Sequence, residues 1–441
     1  MIRLLQISDI HFTDVEGNDD TYGLMRARFL GDINACLKDK GKIDRVLICG
    51  DIAFGGQENQ YCKAQKFIGE ICKQAACTTD DVLVVPGNHD KKWDVYKRTR
   101  SIMRDALLQG KNLKKLLESK VNEPMAVGIL LAPFKQYHKL ALEYGCISDM
   151  ELKSMTFPES NHEMDKMPKF LSGEAMYWTK KLPDLNGYPL IAHGGNTSLL
   201  SDSDDGESKN LKESKHLQVL PLQVYNVCGL ESEIHFLMLH HPMSEIIGGK
   251  EIGKDIDSRF LLQFYGHIHK QSSSDDGVIK IYSGAFQPEE DEDSTEYFPV
   301  YNVIEIDVVE EAGKPYLKAD VYCRKWDGVI FDEYTAETKT GNEALKVELP
   351  QNNAWKRTVT RINKEEERPM EHEVAKPVLS SHVVRSAFLG CGREGRIIAE
   401  MYGKSFDDIS PNRIKYLAFL RQVEIDGRFA ELNKILIRYE K

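Results

Sequence analysis

The sequence predicts an α/β protein built on a parallel sheet, and three features carry that prediction. Apolar runs of strand length alternate with longer segments of helical periodicity through residues 1–90. Strand, helix, strand, helix, strand in that order pairs through right-handed crossovers. Each run also ends abruptly in polar residues, and in parallel sheets chemistry gathers at the carboxyl ends of the strands.

In chain order, residues 2–8 read as the first strand, which delivers Asp9 and His11. A helix is expected over 22–40, a second strand over 45–49 ending in Gly50-Asp51, and a second helix over 58–77. The third strand, 82–85, is stopped by Pro86-Gly87 and followed by Asn88-His89-Asp90. Residues 91–187 read as a mainly helical and irregular insertion covering one side of the site, with a long helix over 93–120. A strand over 188–192 leads into Gly194-Gly195-Asn196-Thr197-Ser198, and 201–208 is a polar loop without the spacing of a calcium loop. Residues 233–239 form a buried strand delivering His240-His241-Pro242, and 260–265 another delivering Gly266-His267-Ile268-His269. β-rich segments follow over 278–282, 297–308 and 317–331, with an acidic solvated turn at 289–293. These segments divide the chain into a main domain over 1–336, a charged linker over 337–377 and a small helical module over 378–441, with Ser410-Pro411 as a cap and first-turn pair.

Composition narrows the class. Hydrophobic residues at 41% and charged ones at 29% describe an ordinary globular protein. No apolar run reaches the length of a membrane span, so no membrane partner is expected. The early first strand leaves no room for a signal peptide, and the nine cysteines lack any C-x-x-C pair; both point to a cytoplasmic location and reduced core thiols. The net charge of −11 is uneven: residues 355–441 hold 17 Lys+Arg against 13 Asp+Glu, so the acid lies in the body. An acidic body does not attract phosphate backbones by bulk electrostatics.

The ligating residue types are therefore concentrated at five strand ends: Asp9-x-His11, Gly50-Asp51, Gly87-Asn88-His89, His240-His241 and Gly266-His267-x-His269. Any one alone has a plain structural explanation as a cap, a turn or a satisfied core histidine. Five together point to metal. Oxygen and imidazole donors without sulfur suit Mn, Fe or Zn, and residues i and i+2 of an extended segment share one face. Two cations would need a bridging carboxylate, for which Asp51 is the natural candidate.

The order D-x-H, G-D, G-N-H-D, H-H-P, G-H-x-H over residues 1–285 resembles the calcineurin-like metallophosphoesterases. The resemblance implies a four-layer αββα sandwich with a dinuclear site between two mixed sheets. It implies one metal on Asp9, His11, Asp51 and His269, and a second on Asp51, Asn88, His240 and His267. His240 is preferred to His241 because the family's ligand usually stands two residues before the proline. His89 matches the catalytic histidine, which is not a ligand. The implied mechanism is in-line attack on phosphorus by a metal-bridging hydroxide, with two divalent ions, Mn first and Fe or Zn as substitutes.

Within the family, Ser/Thr protein phosphatases carry G-D-x-x-D-R-G, whereas Asp51 here is followed by Ile52-Ala53-Phe54-Gly55-Gly56. The segment 189–205 looks more like the L-N-S strand of bacterial phosphodiesterases, departing from it at His193-Gly194-Gly195. The leading expectation is thus a phosphodiesterase acting on nucleic acid or a (cyclic) nucleotide. The rivals are a phosphomonoesterase on proteins or small molecules, and a scaffold whose C-terminal helices bind a protein partner or a second copy.

Overall fold

Strand β1 (Ile2–Ile7) is buried along its whole length, so both of its faces are covered, and the architecture follows from what covers them. The computed structural model describes residues 1–14, 20–108, 128–147, 176–201, 233–288, 297–334 and 342–350, with 220, 224, 431 and 432 besides. β1 pairs in parallel with β2 (Arg45–Ile48), which pairs in parallel with β3 (Val82–Val84). Helices α1 (Gly23–Lys40) and α2 (Glu58–Ala75) make the two crossovers.

The second sheet begins with the antiparallel pair β4 (Tyr177–Leu185) and β5 (Tyr188–Gly195). It continues in parallel through β6 (Ile234–Leu239), β7 (Leu262–Tyr265) and β9 (Ile279–Tyr282), with β8 (Ser272–Ser274) on its edge. β10 (Val300–Glu311) then returns to the first sheet beside β1, antiparallel. β11 (Lys314–Trp326), β12 (Phe331–Glu333) and β13 (Asn342–Glu348) extend that sheet by antiparallel pairing.

Alternation along β1 and β10 assigns the layers. Gln6 and Asn302 are cross-strand partners, and Asn302 Nδ2 donates to Gln6 Oε1 at 3.1 Å. Gln6 Nε2 in turn reaches the carbonyls of Tyr265 and Ile281 on the second sheet, each at 3.4 Å. That face therefore meets the other sheet. Tyr301, one residue along β10, faces the opposite way and packs its ring 4.8 Å from Phe29 of α1. On the outside of the second sheet, Leu237, Leu239 and Tyr265 pack with Ile256 of α5 (Gly249–Asp257) and Phe260. The result is helix, sheet, sheet, helix, the four-layer αββα sandwich expected. α2 shows why such a helix docks: Tyr61, Ala64, Phe67, Ile68, Ile71, Cys72 and Ala75 fall on one stripe and are buried. Two further helices, Lys97–Leu108 (α3) and Lys135–Glu143 (α4), lie between β3 and β4 in the chain.

Several expectations change in detail. Strand β4 lies inside the stretch 91–187 expected to be helical and irregular. It reads poorly as a strand because Lys180, Lys181 and Asp184 interrupt its apolar residues. The signal that marks it is Asn186-Gly187, whose φ angles of 51° and 82° make the tight turn joining it to β5. The long helix over 93–120 is described only as Lys97–Leu108. The run 317–331 is two strands, divided at Asp327-Gly328, where Asp327 Oδ1 accepts the amides of Val329 and Ile330 at 2.8 Å each. Residues 342–348, polar enough to read as linker, pair with β11 as β13. The chain divides into two compact units, Met1–Glu365 and Glu366–Lys441. The rest of the linker, the module 378–441 apart from 431 and 432, and the loops 202–208 and 289–293 lie outside the described residues. No helix among the described residues is long and apolar enough to cross a membrane.

Trp178 of β4 ties the two sheets together. Its indole Nε1 donates to the Val84 carbonyl of β3 at 3.0 Å, and the ring fills the space where a Cβ on Gly194 would sit. Trp178→Ala should therefore lower stability by about 3–5 kcal/mol. A urea midpoint unchanged from the parent protein would refute this role.

Candidate metal centre

β1, β2 and β3 of one sheet and β6 and β7 of the other end at one place, and their loops are laced together through backbone amides. Asp9 N donates to Gly50 O at 3.0 Å, while Ile10 N and His11 N both donate to Asp51 O, at 2.8 and 2.9 Å. Gly266 N donates to His240 O at 3.1 Å, joining the two loops of the second sheet. Two side-chain carboxylates complete the lacing: His267 N donates to Asp9 Oδ2 at 3.1 Å, and His89 N donates to Asp51 Oδ1 at 2.8 Å. Each ligand carboxylate is thus held by one oxygen and presents the other.

The turns are unusual. Asp9, His11, Asp51, His267 and His269 all have φ between 51° and 67°, the left-handed region that non-glycine residues seldom adopt. Asp and His tolerate it better than most, yet each such residue costs about 1–2 kcal/mol. The geometry also leaves no room beside the ligands. A Cβ on Gly87 would lie 2.0 Å from Asp51 Oδ1, and Gly50, at φ 98°, would place one 2.4 Å from His240 Nδ1.

The side chains of these loops converge. Asp51 Oδ2 lies 3.4 Å from His11 Nε2 and 3.2 Å from His240 Nε2, between the two halves of the cluster. Asp9 Oδ1 lies 3.3 Å from His269 Nε2. Asn88 Oδ1 is 3.0 Å from His240 Nε2, and His240 Nδ1 donates to the Cys49 carbonyl at 2.8 Å. Ligand atoms within 4.8 Å of one another form four overlapping groups: Asp9, His11 and His269; His11, Asp51 and His89; Asp9, Asp51 and His240; and His240, His241 and His267. All seven residues expected as ligands, and His89, are brought together.

The groups also contain His241, which the spacing to Pro242 sets aside. Its Nδ1 pairs with Thr197 Oγ1 at 2.8 Å, while Nε2 is buried without a hydrogen-bond partner among the described residues. His11 Nδ1 is in the same position. Buried imidazole nitrogens with nothing to bond, beside two buried carboxylates, fit a site for divalent cations. No thiol joins any group, in keeping with borderline or hard ions.

Asp90 and Lys91 hold the arrangement from behind, a function not apparent in the tetrapeptide. Asp90 accepts amides from Ile52, Ala53 and Gly87 at 2.9–3.1 Å and the Tyr61 hydroxyl at 2.7 Å, locking the Asp51 loop to the Asn88 loop. Burial and the nearby Asp51 push its carboxyl up to about 6, so it is still largely ionised at neutral pH. Lys91 is fully buried; its ammonium donates to the carbonyls of Ser198 and Ser201 and to Ser201 Oγ, anchoring the loop that carries Thr197.

Electrostatics of the metal-free cluster follow from these distances. Burial works to raise the Asp9 carboxyl, but the bond and charge of His269 and the charge of His240 outweigh it and hold it at about 2. Asp51 is likewise held well below the usual range, its burial overcome by His240, His89 and His11. Burial would strip the proton from His240, yet Asp51 and Asp9 raise it to about 9. His267, buried beside that cation, falls to about 3. A proton on His240 Nε2 therefore stands where a metal would bind.

Two outcomes follow. Below about pH 9, a cation must displace the His240 proton, so metal affinity should rise with pH up to that point. Calorimetry at pH 7 in buffers of different ionisation enthalpy should detect release of roughly one proton as the half of the cluster that contains His240 takes up its ion; none would contradict a protonated His240. Separately, Asp51→Asn should remove the charge shared by both halves and empty the centre, whereas Asp9→Asn should weaken mainly one ion. An Asp51→Asn protein that retains two tightly held ions by atomic emission would remove Asp51 from the bridging position.

Compared with known proteins, the chain matches the profile of the family described as Calcineurin-like phosphoesterase over residues 2–271. The uncharacterized metallophosphoesterase-like protein YydB of Bacillus subtilis (strain 168) is 24% identical over 299 residues, which cover 66% of this chain and 54% of that protein. The chain thus spans about half the length of that curated relative. Among solved structures it is similar to a single mutant of Vps29 from Entamoeba histolytica, at 11% identity and a TM-score of 0.27, over 79% of this chain and 100% of that one. It is also similar to purple acid phosphatase PPD1 from yellow lupin (Lupinus luteus) seeds, at 11% identity and a TM-score of 0.38, over 85% and 57% of the two chains. The profile match covers well over half of the sequence and every strand end that enters the cluster. On that ground the chain belongs to the calcineurin-like phosphoesterases, metal-dependent hydrolases of phosphate esters.

Proposed function

We propose that the protein is a dinuclear metal-dependent phosphodiesterase whose substrate is a nucleic acid or a nucleotide. One cation would be held by Asp9, His11, Asp51 and His269, and the other by Asp51, Asn88, His240 and His267, with Mn as the first candidate. Such a pair, when bound, supplies acidified water and offsets charge on the phosphoryl group.

The observation that carries the diester reading is the loop after Asp51. His89 Nδ1 donates to the backbone carbonyl of Phe54 at 3.0 Å, a neutral partner in place of a carboxylate. That bond orients the ring through Nδ1. One nitrogen of His89 lies within 4.8 Å of the Asp51 and His11 ligand atoms, close enough to serve the reacting phosphorus. The residues from Ile52 to Gly56 contribute no cation. A monoester dianion gains from an extra arginine or lysine, whereas a diester carries one negative charge and needs less compensation. His89, when protonated, stabilises the developing oxyanion and hands its proton to the leaving oxygen.

With Mn supplied, hydrolysis of bis-p-nitrophenyl phosphate should exceed that of p-nitrophenyl phosphate. His89→Ala should lower turnover by about 10²–10⁴-fold while leaving metal content intact. Preference for the monoester would overturn the diester reading, and loss of metal from the His89 variant would make that residue a ligand.

A further inference from the structure

Beside His89 the surface turns aromatic. Phe54 is 38% exposed, and no other aromatic side chain is as exposed among the large hydrophobic residues described. Its ring centroid is 5.0 Å from that of His89, with 35° between the planes. Trp93 packs against the same imidazole, 5.3 Å away at 66°, and lies 6.4 Å from Phe54 with 68° between their planes. Exposing a phenyl ring to water is unfavourable. A rigid backbone nevertheless presents it.

That rigidity comes from both sides of the residue. Phe54 N donates to Phe12 O at 3.0 Å, and its carbonyl accepts the bond from His89. Trp93 is fixed in the same way, its Nε1 donating to the carbonyl of the ligand residue Asn88 at 3.1 Å. Two held aromatic rings thus cluster with the histidine proposed to meet the phosphoryl group. A group esterified to that phosphate and extending on the His89 side has these rings within reach.

We propose that Phe54 and Trp93 form a stacking shelf that takes the base of a nucleotide whose phosphate docks on the metal centre. The ligand class follows from shape and continuity. A flat heterocycle stacks on an exposed ring whatever its hydrogen-bonding edges, and the shelf begins one ring contact from the catalytic histidine. The proposal rests on the reading of the centre as a phosphate-ester site, and it adds the residues that would take the base.

The test compares adenosine 5′-monophosphate with ribose 5-phosphate, which share phosphate and sugar and differ only in the base. Calorimetric titration of the Mn-loaded protein should show the nucleotide binding about tenfold more tightly. Phe54→Ala should bring the two affinities together, Phe54→Leu should do the same with similar bulk, and Phe54→Trp should preserve the difference. Metal content should be equal in all four proteins. Equal affinity for the two ligands in the parent protein, or a base-dependent difference that survives Phe54→Leu, would overturn the shelf. Binding is read without turnover, so the outcomes separate. A base-dependent affinity in a protein that prefers monoesters would leave the shelf standing and remove the diester reading.

Discussion

The structure depends on two carboxylates, Asp9 and Asp51, that are taken almost wholly out of water. An anion in that position is costly unless it is paired and hydrogen-bonded. The surrounding chain meets that demand from several directions. One oxygen of each carboxylate receives an amide, from His267 or from His89, and the other faces imidazoles drawn from both sheets. Because those partners sit on the ends of four strands, β1, β3, β6 and β7, satisfying the carboxylates also fixes the relation of the two sheets at this end. Stability and chemistry share the same contacts here.

A second level of support lies just behind. Asp90 fastens the Asp51 loop to the Asn88 loop through three amides, and Lys91 fastens the Thr197 loop to the same segment. Both are buried groups satisfied mainly by backbone, which commits them to one geometry. The left-handed residues that carry the ligands are held in place by this network, since nothing in their intrinsic preference favours that conformation.

Much of this was legible in the sequence, for physical reasons that also mark its limits. Ligand strands are short apolar runs ended by glycine or proline, and D-x-H or H-x-H spacing follows from strand geometry, so Asp9, His11, Asp51, Asn88, His240, His267 and His269 stand out. β4 does not, because an edge strand can be rich in lysine; only its Asn186-Gly187 turn gives it away. His240 and His241 are adjacent and chemically identical, and their surroundings differ only through distant partners, Cys49 O for one and Thr197 Oγ1 for the other. The orientation of His89 by a main-chain carbonyl has no sequence signature, since every residue carries one.

The left-handed turns have one further consequence. Glycine, asparagine, aspartate and histidine are the residues that visit this region most readily. Exchange of aspartate or histidine for asparagine at these five positions would suit the same backbone conformation while removing a negative charge or an imidazole nitrogen. The left-handed turn and the donor atom it carries are therefore separate requirements at these positions, even where the same side chain also holds a loop. A descendant that had lost its reaction in this way would trace the same backbone, and only the identity of a few side chains would tell the silent molecule from the working one.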